Sequence, residues 1–337
     1  MFSKMLKIND TGQMLPRRRI NRVLNRAILA SPFFLFPLFL LTFPEQMDTD
    51  VTYTYRSRAW RNEAATSGAT VRTIPIIYAI TATYSRPTQI PEMTRLAQTL
   101  MHVSNFLWIV VEQGTERSRS LNNLLRTSGI SFVHLTAQEN PIALQDCYPK
   151  KPFGSVHSRY AALEWIRQHA EPDGVVYMLD DDNCYDLRLF EEMRFTKKVS
   201  MWPVGLVGKY GISSPVIKNG KLIGFHDFRM KYRRFPVDYA SFAVSVRLIR
   251  EKQYINLGCQ KGSNEDSYLN SLDLSLDDLE PRADNCTKVL VWHTKTQKAP
   301  PVQKKNLLRA KGIRKRIRAV GQTNLPRLYE NLLKSDS

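Results

Sequence analysis

Cysteine is scarce, with 4 in 337 residues, so no disulfide scaffold can organise the chain, although Cys147, Cys184, Cys259 and Cys286 could still pair. Cys184 reads as a small buried filler rather than a metal ligand. No Gly-x-Gly-x-x-Gly run and no Walker loop occurs, which excludes phosphate binding by a glycine-rich loop. Acidic residues are outnumbered, with Asp+Glu at 31 against Lys+Arg at 49, a formal charge of +18. The excess is not spread as a nucleic-acid surface would be. It gathers at the front (Lys4, Lys7, Arg17, Arg18, Arg19, Arg22, Arg26) and again from Lys304 to Arg318. Neither cluster is interleaved with aromatics or joined to a nucleic-acid motif, so no nucleic acid partner is expected. At 43% hydrophobic and 24% charged residues, disorder throughout is excluded and a sizeable core is expected.

Long uncharged runs are also rare, which makes the one from Ala27 to Pro44 stand out. As a helix it would reach ~27 Å, near the hydrocarbon thickness of a thin bilayer. Pro32 and Pro37 weaken it and leave a signal peptide open. The long basic leader and the lack of a small-x-small cleavage site favour an uncleaved signal-anchor. Residues 1–26 would then be a cytosolic leader, 27–44 the membrane anchor and 45–72 an aperiodic stem, with the remainder lumenal. Asn285-Cys286-Thr287 is a glycosylation sequon that agrees with a lumen. After Pro301, Leu307, Leu308, Ile313 and Ile317 space like one apolar stripe among Lys and Arg, a short amphipathic helix or a solvated appendage.

From Thr73 onward short apolar runs alternate with helical periodicity. Strands are expected at 75–80, 106–111 and 130–135, and helices around 93–101, 118–127 and 155–169. That alternation implies an α/β fold with a mostly parallel sheet and helices on both faces. The run from Gly174 to Leu179 reads as a buried strand ending in Asp180-Asp181-Asp182, and Asp186 as the start of the next helix. Three adjacent carboxylates repel unless a cation neutralises them, and their hard oxygens suit Mg²⁺ or Mn²⁺ on a diphosphate. Alone, the triplet suits a solvated acidic turn or an adventitious Ca²⁺ loop equally well. The strand before it and helix after it favour a nucleotide-sugar site at the rim of a sheet. Tyr84, just past the first strand, is placed to stack on a base or to be a half-buried loop aromatic.

Seven segments, in order, carry a resemblance: Ala82 to Gln89, Phe106 to Glu112, Asp180 to Tyr185, Leu189 to Arg194, Phe235-Pro236-Val237-Asp238, Asn264-Glu265-Asp266-Ser267 and Val291-Trp292-His293-Thr294. Together they resemble the β-1,3-glucuronyltransferases of glycosyltransferase family 43, over roughly residues 73–298. The resemblance implies a GT-A type fold, with 73–185 binding a UDP-sugar, 186–300 forming an acceptor-binding subdomain and 301–337 left as a basic tail. It implies an inverting transfer of glucuronic acid from UDP-glucuronic acid to a terminal galactose of a protein-borne glycan, in the Golgi membrane, often as a homodimer. Asp182 would hold Mn²⁺; Asp180, Asp181 and Arg159 would contact the donor; His293 would contact its diphosphate. Glu265 would be the general base, with Arg233 and Asp238 near the sugars. The neighbouring Arg234 leaves that register open by one residue.

Several donor positions depart from the family pattern. Gln113 stands where a uracil-facing Asp is expected, and Phe153-Gly154 where a basic contact is expected, with Lys150 or Lys151 as substitutes. Lys295 stands for an arginine, keeping the charge without the bidentate fork. Asn264-Glu265-Asp266 replaces Gln-Glu-Ser. Since Asp182 and Glu265 remain, an active, divergent enzyme is the first expectation. A catalytically silent or donor-switched glycan-binding protein is the second.

Overall fold

The computed structural model describes residues 74–137, 155–258 and 262–296. The leader, anchor and stem, Cys147, Cys259, the Lys150–Gly154 segment and the basic tail lie outside them. Among the described residues no helix is long and apolar enough to cross a membrane.

The expected alternation is present. β1 (Ile77–Thr83) leads to α1 (Gln89–Leu100), β2 (Phe106–Gln113), α2 (Arg119–Thr127), β3 (Phe132–Ala137), α3 (Val156–His169) and β4 (Val175–Met178). After the acidic triplet come β5 (Cys184–Tyr185), α4 (Leu187–Met193), β6 (Val199–Met201), β7 (Val204–Gly205) and the hairpin β8 (Ile212–Lys218) and β9 (Lys221–His226). β10 (Phe242–Ser245), α5 (Val246–Glu251), α6 (Asn264–Asn270), β11 (Leu279–Pro281) and β12 (Val291–Trp292) complete the order. The main sheet runs β11-β6-β10-β4-β1-β2-β3. β4, β1, β2 and β3 are parallel, and β10 inserts antiparallel to both β4 and β6. A second sheet runs β5-β12-β7-β8-β9.

The sheet is therefore mixed, with helices on both faces. Residues on either side of position 185 contribute strands to it. On one face Met93, Leu96, Ala97 and Leu100 of α1, with Leu121 and Leu125 of α2, pack on Ile77, Ala79, Trp108 and Val110. On the other, Ala162, Leu163 and Ile166 of α3 pack on Tyr78, Ile80, Ile109 and Val176. The i, i+3, i+4, i+7 spacing of α1 and the alternation of β1 put these side chains where burial rewards them. Gly174 precedes β4 because a Cβ there would fall 2.5 Å from the Tyr78 ring. β1 starts two residues later than expected and runs on through Thr83, because its pairing with β2 continues to Glu112.

Arg194, whose side chain is fully buried, ties this scaffold at its far end. It donates to Glu191 Oε1 (3.0 Å), to the Pro75 carbonyl (3.0 Å) and to the Ser104 carbonyl, closing off the lead-ins to β1 and β2. Arg194→Met should cost about 1–3 kcal/mol in urea unfolding, because the part-buried Pro75 and Ser104 carbonyls lose a charged donor. Activity per folded molecule should be unchanged; an unaltered unfolding midpoint would refute this role.

Candidate active site

The acidic triplet follows β4 by one residue, and Leu179 N still donates to the Ile80 carbonyl (2.8 Å), so the carboxylates emerge at the sheet's C-terminal rim. Their side chains part company there. Asp180 pairs with Arg159 of α3 (2.8 Å), whose guanidinium also lies 4.4 Å over the Tyr239 ring. Asp181 is buried and accepts from Thr83 Oγ1 (2.8 Å) while Arg86 lies 2.7 Å away. Its carboxylate is turned into the fold and ties the triplet to β1. Tyr185 OH donates to the Asp180 carbonyl (2.8 Å), and Thr294 Oγ1 and Arg95 hold the Asp182 carbonyl.

Among the described residues no arginine pairs with the Asp182 carboxylate, Arg95 reaching only its backbone carbonyl. Burial first, then Asp180 and Asp181, push its pKa up from 3.8 to about 6. Burial also raises Asp180, against the pull of Arg159. A half-buried carboxylate crowded by two others fits a hard divalent cation. Among the described residues no three acidic, His or Cys side chains close around a point.

Glu265 lies in the first turn of α6. Arg233 Nη2 lies 3.1 Å from its Oε2, yet its N–H bonds go to the Val237 and Gly262 carbonyls. Oε2 accepts no hydrogen bond, so a charge steadies it while its lone pairs stay unspent. Burial first, then Asp238, raise the Glu265 pKa above 4.5, with Arg233 and Arg229 opposing. The register left open by sequence falls on Arg233. Arg234 turns away to the Leu274 carbonyl (2.6 Å).

A cavity of about 630 Å³ is lined by Arg229, Asp238, His293, Thr294 and Lys295 among others; Asp182 and Glu265 do not line it themselves, and each reaches it through a lining neighbour. Thr294 touches the Asp182 backbone, and Arg229 Nη1 lies 4.0 Å from Glu265 Oε1. His293 Nδ1 is 3.8 Å from Asp238 Oδ2. Tyr84 is 52% exposed at the mouth of β1 with the Arg86 guanidinium 4.6 Å over its ring. Gln113, exposed at the end of β2, is one residue beyond Glu112, the β-ladder partner of Thr83. Cys184 corrects an expectation: it is exposed, with Sγ 3.7 Å from Thr294 Oγ1, because β5 is a two-residue edge strand.

Sequence reasoning missed Arg86, Thr294 and Arg229. Arg86 was legible in principle, an arginine two residues past a rim tyrosine. Arg229 carried a local signal too, since Asp227-x-Arg229 is the spacing of a carboxylate that caps a backbone N–H two residues on.

Residues 96–297 match the model of glycosyltransferase family 43. The chain belongs to that family. In Drosophila melanogaster, galactosylgalactosylxylosylprotein 3-beta-glucuronosyltransferase S is 43% identical over 224 residues, 66% of this chain and 54% of that protein. Its paralogue P is 44% identical over 239 residues, 70% of this chain and 49% of that protein. The Homo sapiens enzyme 1 is 43% identical over 236 residues, 67% of this chain and 70% of its own. The chain thus spans about half the length of the two fly relatives.

The triplet's division of labour predicts opposite stability effects in the metal-free protein. Asp181→Asn should destabilise by about 2–3 kcal/mol, since Arg86 loses a buried partner. Asp182 has a folded pKa above its unfolded value, so its ionised form opposes folding. Asp182→Asn should therefore raise stability above about pH 7, a gain that fades below about pH 4. Denaturant unfolding at both pH values checks this; equal losses from the two variants would contradict it.

Proposed function

We propose that this family 43 member is a GT-A type inverting glucuronosyltransferase that moves glucuronic acid from UDP-glucuronic acid to a terminal galactose of a protein-borne glycan, forming a β-1,3 linkage. The reading is carried by one observation: Asp182 and Glu265 each contact the lining of the same cavity, Asp182 through Thr294 and Glu265 through Arg229.

Asp182 would hold Mn²⁺, which when bound neutralises charge on the diphosphate of the leaving UDP. Tyr84 would stack on uracil with Gln113 beside it, Arg159 and Asp180 would contact the donor, and His293 and Lys295 would face its phosphates. Glu265 takes the proton of the acceptor hydroxyl as that oxygen bonds to the anomeric carbon from the face opposite UDP, inverting it. Arg233 steadies the Glu265 carboxylate in the ionised form that accepts the proton, and Asp238, between His293 and Glu265, is near both sugars. The raised Glu265 pKa gives the base more proton affinity than an ordinary glutamate at the cost of an acid limb moved upward in pH.

The names of the relatives support a galactosyl acceptor on a xylose-linked protein, and the apolar run at 27–44 supports a single-pass type II Golgi enzyme with its catalytic part lumenal. Asn285 is exposed, in a left-handed turn with φ of 52°, and is open to glycosylation. A homodimer rests on family analogy.

With UDP-glucuronic acid, Mn²⁺ and a galactoside, the full-length protein should release UDP and form the disaccharide. Glu265→Gln should lower kcat by about 10²–10⁴-fold with little effect on donor binding. In the wild type, kcat/KM should fall with acid along a limb centred above the ordinary Glu value of about 4.3. UDP release at background, unchanged by Asp182→Ala, would instead favour a silent glycan-binding protein. Turnover with another UDP-sugar alone would favour a switched donor.

A further inference from the structure

The loop from Asp227 to Asp238 contains a pair that the proposed chemistry does not use. Asp227 is fully buried, and both its carboxylate oxygens receive the Arg229 side chain, Nε to Oδ1 and Nη2 to Oδ2 at 2.8 Å each, while Arg229 N donates to Oδ1 at 2.7 Å. A guanidinium chelated along one edge has a single direction left for its remaining nitrogen. That nitrogen, Nη1, points to Glu265 Oε1 at 4.0 Å, opposite Arg233 on Oε2. Arg229 also lines the cavity.

We propose that Asp227 and Arg229 form a positioning dyad, in which the buried carboxylate fixes the guanidinium and the guanidinium sets the orientation and proton affinity of Glu265. This rests on Glu265 being the general base. The groups facing Glu265 are Arg229, Arg233 and Asp238 from the loop, Arg159 from α3 and Tyr239 after the loop. On its own helix Asp266 is occupied by Phe235 N (2.7 Å). Two cations flank the carboxylate directly against one nearby anion, so removing one shifts the balance toward the protonated acid. Asp227 adds rigidity at a depth where its charge is already matched by Arg229, whose pairing holds the Asp227 carboxyl below its ordinary range despite burial.

The test is the pH dependence of kcat/KM for the full-length protein with UDP-glucuronic acid, Mn²⁺ and a galactoside, in wild type, Arg229→Met, Arg229→Lys and Asp227→Asn. Loss of the guanidinium should move the acid limb up by about one pH unit, the low end of what an opposite charge at this range does to a carboxylate. The cost should be larger at pH 6 than at pH 8. Arg229→Lys should return most of the wild-type limb. Asp227→Asn should fall between, since it frees the guanidinium without removing it. A limb that stays in place in Arg229→Met, with activity lowered equally at all pH values, would overturn the dyad and leave a structural role. Should Arg229→Met fail to fold, an Arg229→Lys limb moved as far as the Asp227→Asn limb would equally overturn it. The base reading fails separately, if Glu265→Gln keeps wild-type turnover.

Discussion

Three consecutive carboxylates at the end of a buried strand cannot all be ionised and all be left to themselves. The fold answers by bringing one arginine from the loop after β1 and one from α3, each to a different member of the triplet. What remains is a single acid, Asp182, whose backbone carbonyl is held by Thr294 and Arg95 and whose carboxylate has no ion-pair partner among the described residues. The unequal distribution creates the site. Had all three been paired, the rim would be a closed salt-bridge cluster; had none, burial would protonate them.

The opposite pole inverts this arrangement. Glu265 is one carboxylate between two arginines: Arg233 lies 3.1 Å away with its N–H bonds directed to backbone carbonyls, and Arg229 lies 4.0 Å away. Burial and Asp238 raise its proton affinity while the arginines keep it ionisable. Asp238 and His293 sit between the poles, so the electrostatics of donor and acceptor sides are not independent. The scaffold makes this register possible: β10 inserts antiparallel beside β4, so the chain that carries Asp238 passes close to the strand that carries the triplet.

Much of this was legible in the sequence because it rests on local signals. The alternating strand and helix periods, the apolar run into Asp180 and the helix start at Asp186, whose side chain accepts from Arg188 N, are short-range patterns read correctly to within a few residues. What was not legible depends on pairings across the chain. That Asp181 faces inward follows from the register of β1 against β4, which sets Thr83 opposite it. That Cys184 is exposed follows from β5 lying at a sheet edge. The choice of Arg233 over Arg234 needed the position of Gly262, and the place of Arg229 needed that of Glu265. That residues after 185 complete the first sheet was not legible, because strands as short as β6 and β11 give too few residues for a period to be read.

The central claim is that Asp182 and Glu265 act on one bound substrate pair from opposite sides. A crystal structure of the complex with UDP, Mn²⁺ and a galactoside, with the metal located by anomalous scattering, tests it most directly. The account predicts Mn²⁺ on the Asp182 carboxylate and the diphosphate, and an acceptor hydroxyl within about 2.6–3.2 Å of Glu265. Mn²⁺ held elsewhere, or an acceptor seated with no hydroxyl near Glu265, would contradict it.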